Sequence, residues 1–155
     1  RSARAQAEDD QVGMREIVTG KLWLSNAMAM RDIRHVLDQG VEAIVDVAAD
    51  EPMLAGYPRD IVYCRFPLVD GGGNNPSVMR SAVETTASFI RNSRPTVVFC
   101  SAGLSRSPCV ISAALAMARE SDPHACLEEV ASSGPSEVSP VLWTEMVNVC
   151  FPRHT

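Results

Sequence analysis

A chain of 155 residues (16.7 kDa) predicts one domain, and its 46% hydrophobic residues are enough to form a complete core. The formal net charge is −5 and the basic residues form no cluster, which argues against nucleic acid and anionic membranes as partners. No apolar run is long enough to span a bilayer, and the five cysteines and three histidines show no spacing typical of a disulfide framework or a zinc site.

The beginning of the chain divides into a polar segment and a predicted hairpin. Residues 1–13 are mostly polar and charged, which predicts a flexible N-terminal arm or an expression remnant. The folded domain is therefore expected to span residues 14–155. Apolar residues at 17–18 and 22–24 flank residues 20–21 and predict a short hairpin.

The rest of the chain alternates between predicted strands and predicted helices. Short apolar runs predict strands at 43–47, 61–66 and 96–99. Apolar spacing with capping and stop signals predicts helices at 32–37, 78–91, 108–117, 123–130 and 141–149. Because the strands are apolar throughout, we expect a single α/β domain with a central, mostly parallel sheet flanked by helices on both faces. Such sheets bind ligands beyond the carboxyl ends of their strands.

One of these strand ends carries a seven-residue loop, Cys100 to Arg106, followed by a helix that opens with Pro108. Gly103 lets backbone N–H groups converge and a helix start favours an anion, so the loop is predicted to cradle a phosphate. The cradle would stabilise a thiolate at Cys100, which then acts as a nucleophile. The planar guanidinium of Arg106 matches two phosphate oxygens, and Ser107 is placed to donate a hydroxyl to the sulfur. The predicted phosphate-binding residues are Ser101, Ala102, Gly103, Leu104, Ser105 and Arg106.

The Cys-x5-Arg pattern of this loop resembles the signature of the cysteine-dependent protein tyrosine phosphatase superfamily. The string from Ala102 to Ser107 is similar to that of the dual-specificity protein phosphatase family within it. The resemblance extends over the chain from about Ile17 to Val149. It implies a protein tyrosine phosphatase-like fold and a general acid in a loop that precedes the cysteine.

Asp70 matches the position of that general acid, because it precedes Cys100 by thirty residues. Asn75, five positions later, matches an asparagine that supports the acid loop. The implied reaction hydrolyses phosphotyrosine and phosphoserine or phosphothreonine on proteins through a phosphocysteine intermediate. Cys100 attacks phosphorus while Asp70 protonates the leaving oxygen, and Asp70 then activates the water that releases phosphate. Neither a metal nor a cofactor takes part in it.

The expected partner is a phosphorylated protein. Residues 101–105 carry no charge, whereas phosphoinositide-specific relatives usually carry lysine in this loop. The resemblance therefore favours a phosphoprotein, or a singly phosphorylated small molecule, over a polyphosphorylated lipid. The short chain leaves little room to deepen the pocket, so a shallow site that accepts all three phosphoresidues is implied. We expect a monomer by default, in a cytoplasmic, reducing compartment that keeps the cysteines free.

Phe99 departs from the resemblance, since the family usually has histidine directly before the cysteine. Histidine there orients the loop and helps to keep the thiolate ionised, so Phe99 predicts weaker catalysis. The first alternative is therefore a weakly active or inactive phosphatase-like module that binds phosphorylated partners. A second alternative is a sulfur-transfer or arsenate-reducing enzyme, which also places cysteine on an anion-binding loop.

Several individual roles also have alternatives. Asp46, Asp50 and Asp60 compete with Asp70 for the role of general acid, and Asn75 is compatible with simply starting a helix. Cys109 is placed to react with an oxidised Cys100, although a buried core cysteine is the favoured interpretation.

Overall fold

A five-stranded sheet forms the centre of the structure, a computed structural model that describes residues 13–154. Residues 1–12 of the predicted arm lie outside the described residues. The strands, in chain order, are β1 (Arg15–Val18), β2 (Leu22–Asn26), β3 (Ala43–Ala48), β4 (Val62–Leu68) and β5 (Thr96–Cys100). Their order in the sheet is β1-β2-β5-β3-β4, with β1 antiparallel to β2 and every other pair parallel. The predicted mostly parallel sheet is confirmed.

Most of the helices begin after a residue whose side chain caps their first turn. The caps are Asn26, Asp32, Asn75, Asp122 and Ser139, each of which accepts a hydrogen bond from a backbone N–H of its helix. The helices are α1 (Ala27–Met30), α2 (Ile33–Asp38), α3 (Pro76–Arg91), α4 (Arg106–Arg119), α5 (Pro123–Ser132) and α6 (Pro140–Cys150), followed by a 3-10 turn (Pro152–His154).

The larger hydrophobic core lies on one face of the sheet and is centred on α4. This helix is buried from Arg106 to Ala116 and packs against α3, α5 and α6 as well as against the sheet. Leu24, Val45 and Val98 project into this core from three adjacent strands. Because α4 is buried on all sides, its packing fixes the position of its first turn, and this turn comes directly after the loop that follows β5.

A smaller cluster covers the other face of the sheet. Trp23, Val97 and Phe99 enter it from β2 and β5, together with Met30 from α1 and Val36 from α2. The alternation of side chains along a strand places residues 97 and 99 on this face and residue 98 on the other. The sheet is therefore covered by helices on both faces, as predicted.

Three of the differences from the elements expected from the sequence concern segments next to the carboxyl ends of the strands. Helix α1 was not predicted, because four residues give no periodic signal; Asn26 caps it through Ala29 N–H at 2.8 Å. Strand β4 continues through Pro67 to Leu68, which is tolerated because β4 is the edge of the sheet. Helix α4 begins two residues earlier than predicted, so that Arg106 belongs to its first turn.

Among residues 13–154, no helix is both long enough and apolar enough to cross a membrane.

Candidate active site

Four segments meet at the carboxyl edge of the parallel strands. Strand β2 ends at Asn26 and β5 ends at Cys100, while Asp50 follows β3 and Asp70 follows β4. Because parallel strands all point the same way, the residues after them gather at one edge of the sheet. The predicted nucleophile and the predicted acid therefore lie at the same edge.

The loop after β5 curls tightly around the sulfur of Cys100. Gly103 has a φ of 73°, which favours glycine, and its N–H lies 3.3 Å from Cys100 Sγ. A Cβ on Gly103 would also lie 3.0 Å from the carbonyl oxygen of Ser25 on β2. The loop is held to β2 and α1 by a hydrogen bond from Ala27 N–H to Ser101 O at 3.2 Å. Both its conformation and its close neighbour therefore require glycine at position 103.

Cys100 is 2% exposed and opens into a small cavity. Its Sγ lies 3.2 Å from the Ser107 hydroxyl, so this serine is within hydrogen-bond distance of the sulfur, as the sequence predicted. Helix α4 begins at the cavity, and its cap residue Ser105 makes no capping hydrogen bond, which leaves the positive end of the helix dipole there. The cavity has a volume of about 150 Å³ and is lined by Asp70, Cys100, Ala102, Leu104, Ser105, Arg106 and Glu137.

Arg106 is held in place by two acceptors. Its Nη1 donates to Asp50 Oδ1 at 2.7 Å and to the Leu68 carbonyl at 2.9 Å, and the residue is 6% exposed. Burial acts to lower the pKa of Arg106, but the hydrogen bond with Asp50 and the nearby negative charges leave it above the usual value. The same hydrogen bond holds the pKa of Asp50 below its usual value. The guanidinium therefore stays charged beside the cavity.

The loop after β3 makes a second contact with the cradle. Ser101 donates its hydroxyl to Glu51 Oε1 at 3.1 Å. Arg65 on β4 fixes this loop, since it donates to the carbonyls of Ala48 at 3.1 Å and of Glu51 at 2.8 Å. Asp50 was predicted from the sequence only as a rival acid, and Glu51 was not predicted at all. The signal available was a pair of acidic residues directly after a parallel strand.

Asp70 is connected to the cradle through Ser105. The Ser105 hydroxyl donates to Asp70 Oδ1 at 2.6 Å and accepts the N–H of Ser139, the cap of α6, at 2.9 Å. One side chain thus links the cradle, the loop after β4 and the segment before α6. This role for Ser105 goes beyond the phosphate binding predicted for it.

The loop that carries Asp70 is supported by Asn74. Its side chain accepts from Val69 N–H at 2.9 Å and donates to the carbonyls of Val69 at 2.9 Å and Gly71 at 3.3 Å. Asn75, which was predicted to provide this support, instead caps α3 by accepting from Ser77 N–H at 2.8 Å. The physical reason is that α3 begins at Pro76, so the residue before it is needed as the cap.

Two of the rival aspartates, Asp46 and Asp60, lie away from the cavity. Asp46 is fully buried on β3 and accepts the hydroxyl of Tyr63 at 2.5 Å. Burial, reinforced by that hydrogen bond, raises the pKa of Tyr63 to about 12. Asp60 is exposed before the amino end of β4, at the opposite edge of the sheet from Cys100. Of the four aspartates that the sequence offered, Asp70 lines the cavity with Cys100.

Phe99 contributes its ring to the smaller hydrophobic cluster and is 3% exposed. In the sheet register it stands between Ser25 on β2 and Asp46 on β3. The Ser25 hydroxyl is buried and has no hydrogen-bond partner within residues 13–154. Phe99 therefore offers no polar group to that hydroxyl or to the loop that follows.

Of the other four cysteines, Cys109 and Cys126 are buried in the larger core, whereas Cys64 and Cys150 are half-buried. Cys109 is fully buried in α4, and burial raises its pKa above the usual value. Burial likewise raises the pKa of Cys150 to about 11 and that of Cys64 above its usual value. All five cysteines have free thiols. Burial and a raised pKa both make Cys109 an unreactive core residue, the interpretation favoured by the sequence.

Solved structures with the same fold are phosphatases or phosphatase-like proteins. Human DUSP28 is 19% identical, with a TM-score of 0.77 over 92% of this chain and 95% of that chain. DUSP15 is 21% identical, with a TM-score of 0.70 over 91% of this chain and 89% of that chain. A human tyrosine phosphatase-like serine/threonine/tyrosine-interacting protein is 14% identical, with a TM-score of 0.76 over 92% of this chain and 99% of that chain.

Neither a protein-family model nor a curated protein sequence matches the chain. The solved structures nevertheless have the architecture that the resemblance predicted, a dual specificity phosphatase fold that extends over nearly the whole chain. The predicted fold is confirmed.

Proposed function

We propose that the protein is a cysteine-dependent phosphatase of dual-specificity type, acting on phosphotyrosine and phosphoserine or phosphothreonine of proteins. The observation that carries the proposal is one small cavity lined by a thiol, a guanidinium and a carboxylate. Cys100 and Arg106, from the two ends of the loop after β5, converge there with Asp70 from the loop after β4. A nucleophile, an anion clamp and a proton donor are the groups that phosphomonoester cleavage requires.

In the first step, the Cys100 thiolate attacks phosphorus and the bond to the leaving oxygen breaks. Loop amides such as that of Gly103, the start of α4 and Arg106 stabilise the charge on the three equatorial oxygens. Arg106 exchanges its contact with the exposed Asp50 carboxylate for contacts with phosphate. Asp70 gives its proton to the leaving oxygen, so that the product leaves as a neutral alcohol or phenol.

In the second step, water hydrolyses the phosphocysteine. The Asp70 carboxylate, now ionised, takes a proton from the attacking water as its oxygen bonds to phosphorus. The sulfur departs as a thiolate, and the Ser107 hydroxyl at 3.2 Å stabilises it by a hydrogen bond. These steps use no metal and no cofactor.

The substrate class follows from the residues that line the cavity. Arg106 is the one cationic residue among them, so a single phosphate is matched and further phosphates are not. A volume of about 150 Å³ fits a phosphate group with little of the residue that carries it, which supports a site that does not discriminate strongly among phosphoresidues. A panel of phosphopeptides tests this, and a strict preference for phosphotyrosine would contradict it.

A weakly active or inactive module that binds phosphorylated partners is the second candidate. The observation that favours it is Phe99, which faces an apolar cluster and leaves the Ser25 hydroxyl without a partner among the described residues. One of the proteins that share the fold is described as phosphatase-like and as an interacting protein. A binding module would use the cradle and Arg106 but has no need of Asp70 in the same cavity.

Phosphate release from an aryl phosphate distinguishes the two candidates. We expect the wild type to release phosphate and Cys100→Ser to release none, while the serine variant still binds a phosphopeptide through the intact cradle. Asp70→Asn should lose about 10²–10⁴-fold in kcat for an alkyl phosphate, the usual contribution of a positioned general acid. If wild type and Cys100→Ser are equally inactive between about pH 5 and 8, across the range of ordinary phosphatase assays, yet both bind the peptide, the binding module is supported instead.

A further inference from the structure

Glu137 places an unpaired carboxylate on the wall of the phosphate cavity. It lies in the segment between α5 and α6, and its N–H donates to the carbonyl of Leu104 in the cradle at 2.7 Å. Its backbone is therefore fixed relative to the bound phosphate. Its side chain is exposed and makes no hydrogen bond or ion pair with any residue from 13 to 154.

The neighbouring carboxylates differ because each already has a partner. Asp70 accepts from Ser105, and Asp50 is paired with Arg106 at 2.7 Å. Glu51 accepts from the Ser101 hydroxyl. Of the two carboxylates that line the cavity itself, Asp70 is engaged by Ser105, and Glu137 is the one that remains available.

A free carboxylate beside a phosphate site repels the phosphate dianion and repels acidic groups around it. A positively charged side chain on the substrate offsets this repulsion, because it pairs with the carboxylate and partly neutralises the charge of the phosphate. In an extended peptide the residues follow each other at roughly 3.3 Å, so lysine or arginine within two positions of the phosphoresidue reaches the rim of the cavity. The chemistry that fits Glu137 is therefore a basic side chain close to the phosphoresidue.

We propose that Glu137 is a specificity-determining residue, which selects phosphorylated segments that carry lysine or arginine next to the phosphoresidue. The proposal rests on the proposed phosphatase function, which it deepens by naming the substrate class. Segments with flanking acidic residues are rejected by repulsion, and segments with flanking basic residues gain an ion pair at the rim.

Two phosphopeptides of the same length test the proposal, one with lysines flanking the phosphoresidue and one with glutamates. We expect the wild type to prefer the lysine peptide, and Glu137→Gln to reduce the ratio of kcat/KM values by about threefold to fivefold at low salt, the size of effect that an exposed ion pair gives. High salt should reduce the wild-type preference, because exposed charges are screened.

Glu128→Gln is the matched control, since it removes the same charge from an exposed glutamate on α5 that does not line the cavity. A peptide preference that is absent in the wild type, or that Glu128→Gln changes as much as Glu137→Gln does, overturns the proposal.

Hydrolysis of an aryl phosphate, which has no flanking residues, reports the phosphatase function separately. If no phosphate is released at all, the two peptides are compared by their binding to Cys100→Ser with and without Glu137→Gln. Equal binding of both peptides then overturns the proposal, and a lysine preference lost with Glu137→Gln supports it.

Discussion

Phe99, Ser25 and Asp46 form a row across three strands, one residue before Cys100 on β5. The two outer residues are polar and the central one is phenylalanine. Leaving a buried hydroxyl without a partner costs free energy, and Ser25 is in this state within the described residues. A polar residue at position 99 would have a buried neighbour ready to form a hydrogen bond.

Phe99→His is expected to make the Cys100 thiol more reactive at low pH. The imidazole can bond to the Ser25 hydroxyl, and its partial positive charge lies one residue from the sulfur. We expect alkylation of Cys100 to be faster than in the wild type on the acidic side of neutrality, with a rise in kcat for an aryl phosphate. The measurement is the alkylation rate against pH.

Phe99→Leu is the control for this substitution, because it also replaces the phenyl ring by a smaller side chain but adds no polar group. It should leave the alkylation profile as it is in the wild type. If the histidine and leucine variants have the same profile, the residue before the nucleophile does not tune it, and Phe99 serves only to pack the smaller cluster.

At the scale of elements, the loop from Asp70 to Asn75 is held against α6. Gly73 N–H donates to both carboxylate oxygens of Glu145, at 3.2 and 3.1 Å. A Cβ on Gly72 would lie 2.8 Å from a methyl group of Val141 on the same helix. Gly72 therefore packs closely against α6, and Gly73, whose φ of 84° favours glycine, presents its backbone N–H to Glu145.

Glu145→Ala should therefore weaken catalysis only where the acid is needed. Without the acceptor for Gly73 N–H, the loop no longer holds Asp70 in one position. We expect about a tenfold lower kcat for an alkyl phosphate, whose leaving group needs a proton, and little change for a nitrophenyl phosphate, whose leaving group does not. The measurement is the ratio of the two rates.

Glu84→Ala on the exposed side of α3 is the control for this ratio, since it removes the same side chain from another helix surface. An equal loss on both substrates in Glu145→Ala would show that the contact stabilises the whole site and not the position of the acid in particular.

At the scale of the whole molecule, the arrangement of strands and helices could be predicted because it depends on local patterns. Apolar runs bounded by glycine, proline and capping residues predicted the alternation, and the loop after β5 predicted the nucleophile and the anion clamp. Asp70 was predicted as the acid from the resemblance, since it precedes Cys100 by thirty residues as the general acid of the family does. These features are encoded in single segments.

The contacts that could not be predicted join segments distant in sequence. Ser105 bonds to Asp70 and Ser139, which are thirty-five and thirty-four positions away. Glu137 reaches the cavity because its backbone is fixed to the cradle. Nothing in the local sequence distinguishes these side chains from exposed polar residues, since their roles depend on how the loops at one edge of the sheet pack together.

Alkaline pH should destabilise the fold through Tyr63, which bonds to the buried Asp46. The pKa of Tyr63 is raised to about 12 in the folded state, against about 10 for tyrosine in an unfolded chain. The neutral hydroxyl therefore stabilises the fold fully below about pH 10, and this stabilisation is lost as the pH rises towards about 12. We expect the free energy of unfolding, measured with denaturant, to fall over this range.

Tyr63→Phe should abolish that part of the pH dependence, and it should be less stable than the wild type at neutral pH because Asp46 loses a donor. Tyr57→Phe is the control, since Tyr57 stacks on Tyr63 with ring centroids 5.0 Å apart. The hydrogen bond to Asp46 comes from the Tyr63 hydroxyl and not from Tyr57. An unchanged alkaline slope in Tyr63→Phe would assign the destabilisation to other groups.

The Ser105 hydroxyl has a further consequence for the proposed acid. Its oxygen accepts the Ser139 N–H, and its proton is directed to Asp70 Oδ1. While the Ser105 proton occupies that bond, a neutral Asp70 carboxyl carries its own proton on Oδ2, and in the proposed first step the proton then departs from Oδ2. A serine of the cradle thus makes two chemically equivalent oxygens different before a substrate arrives.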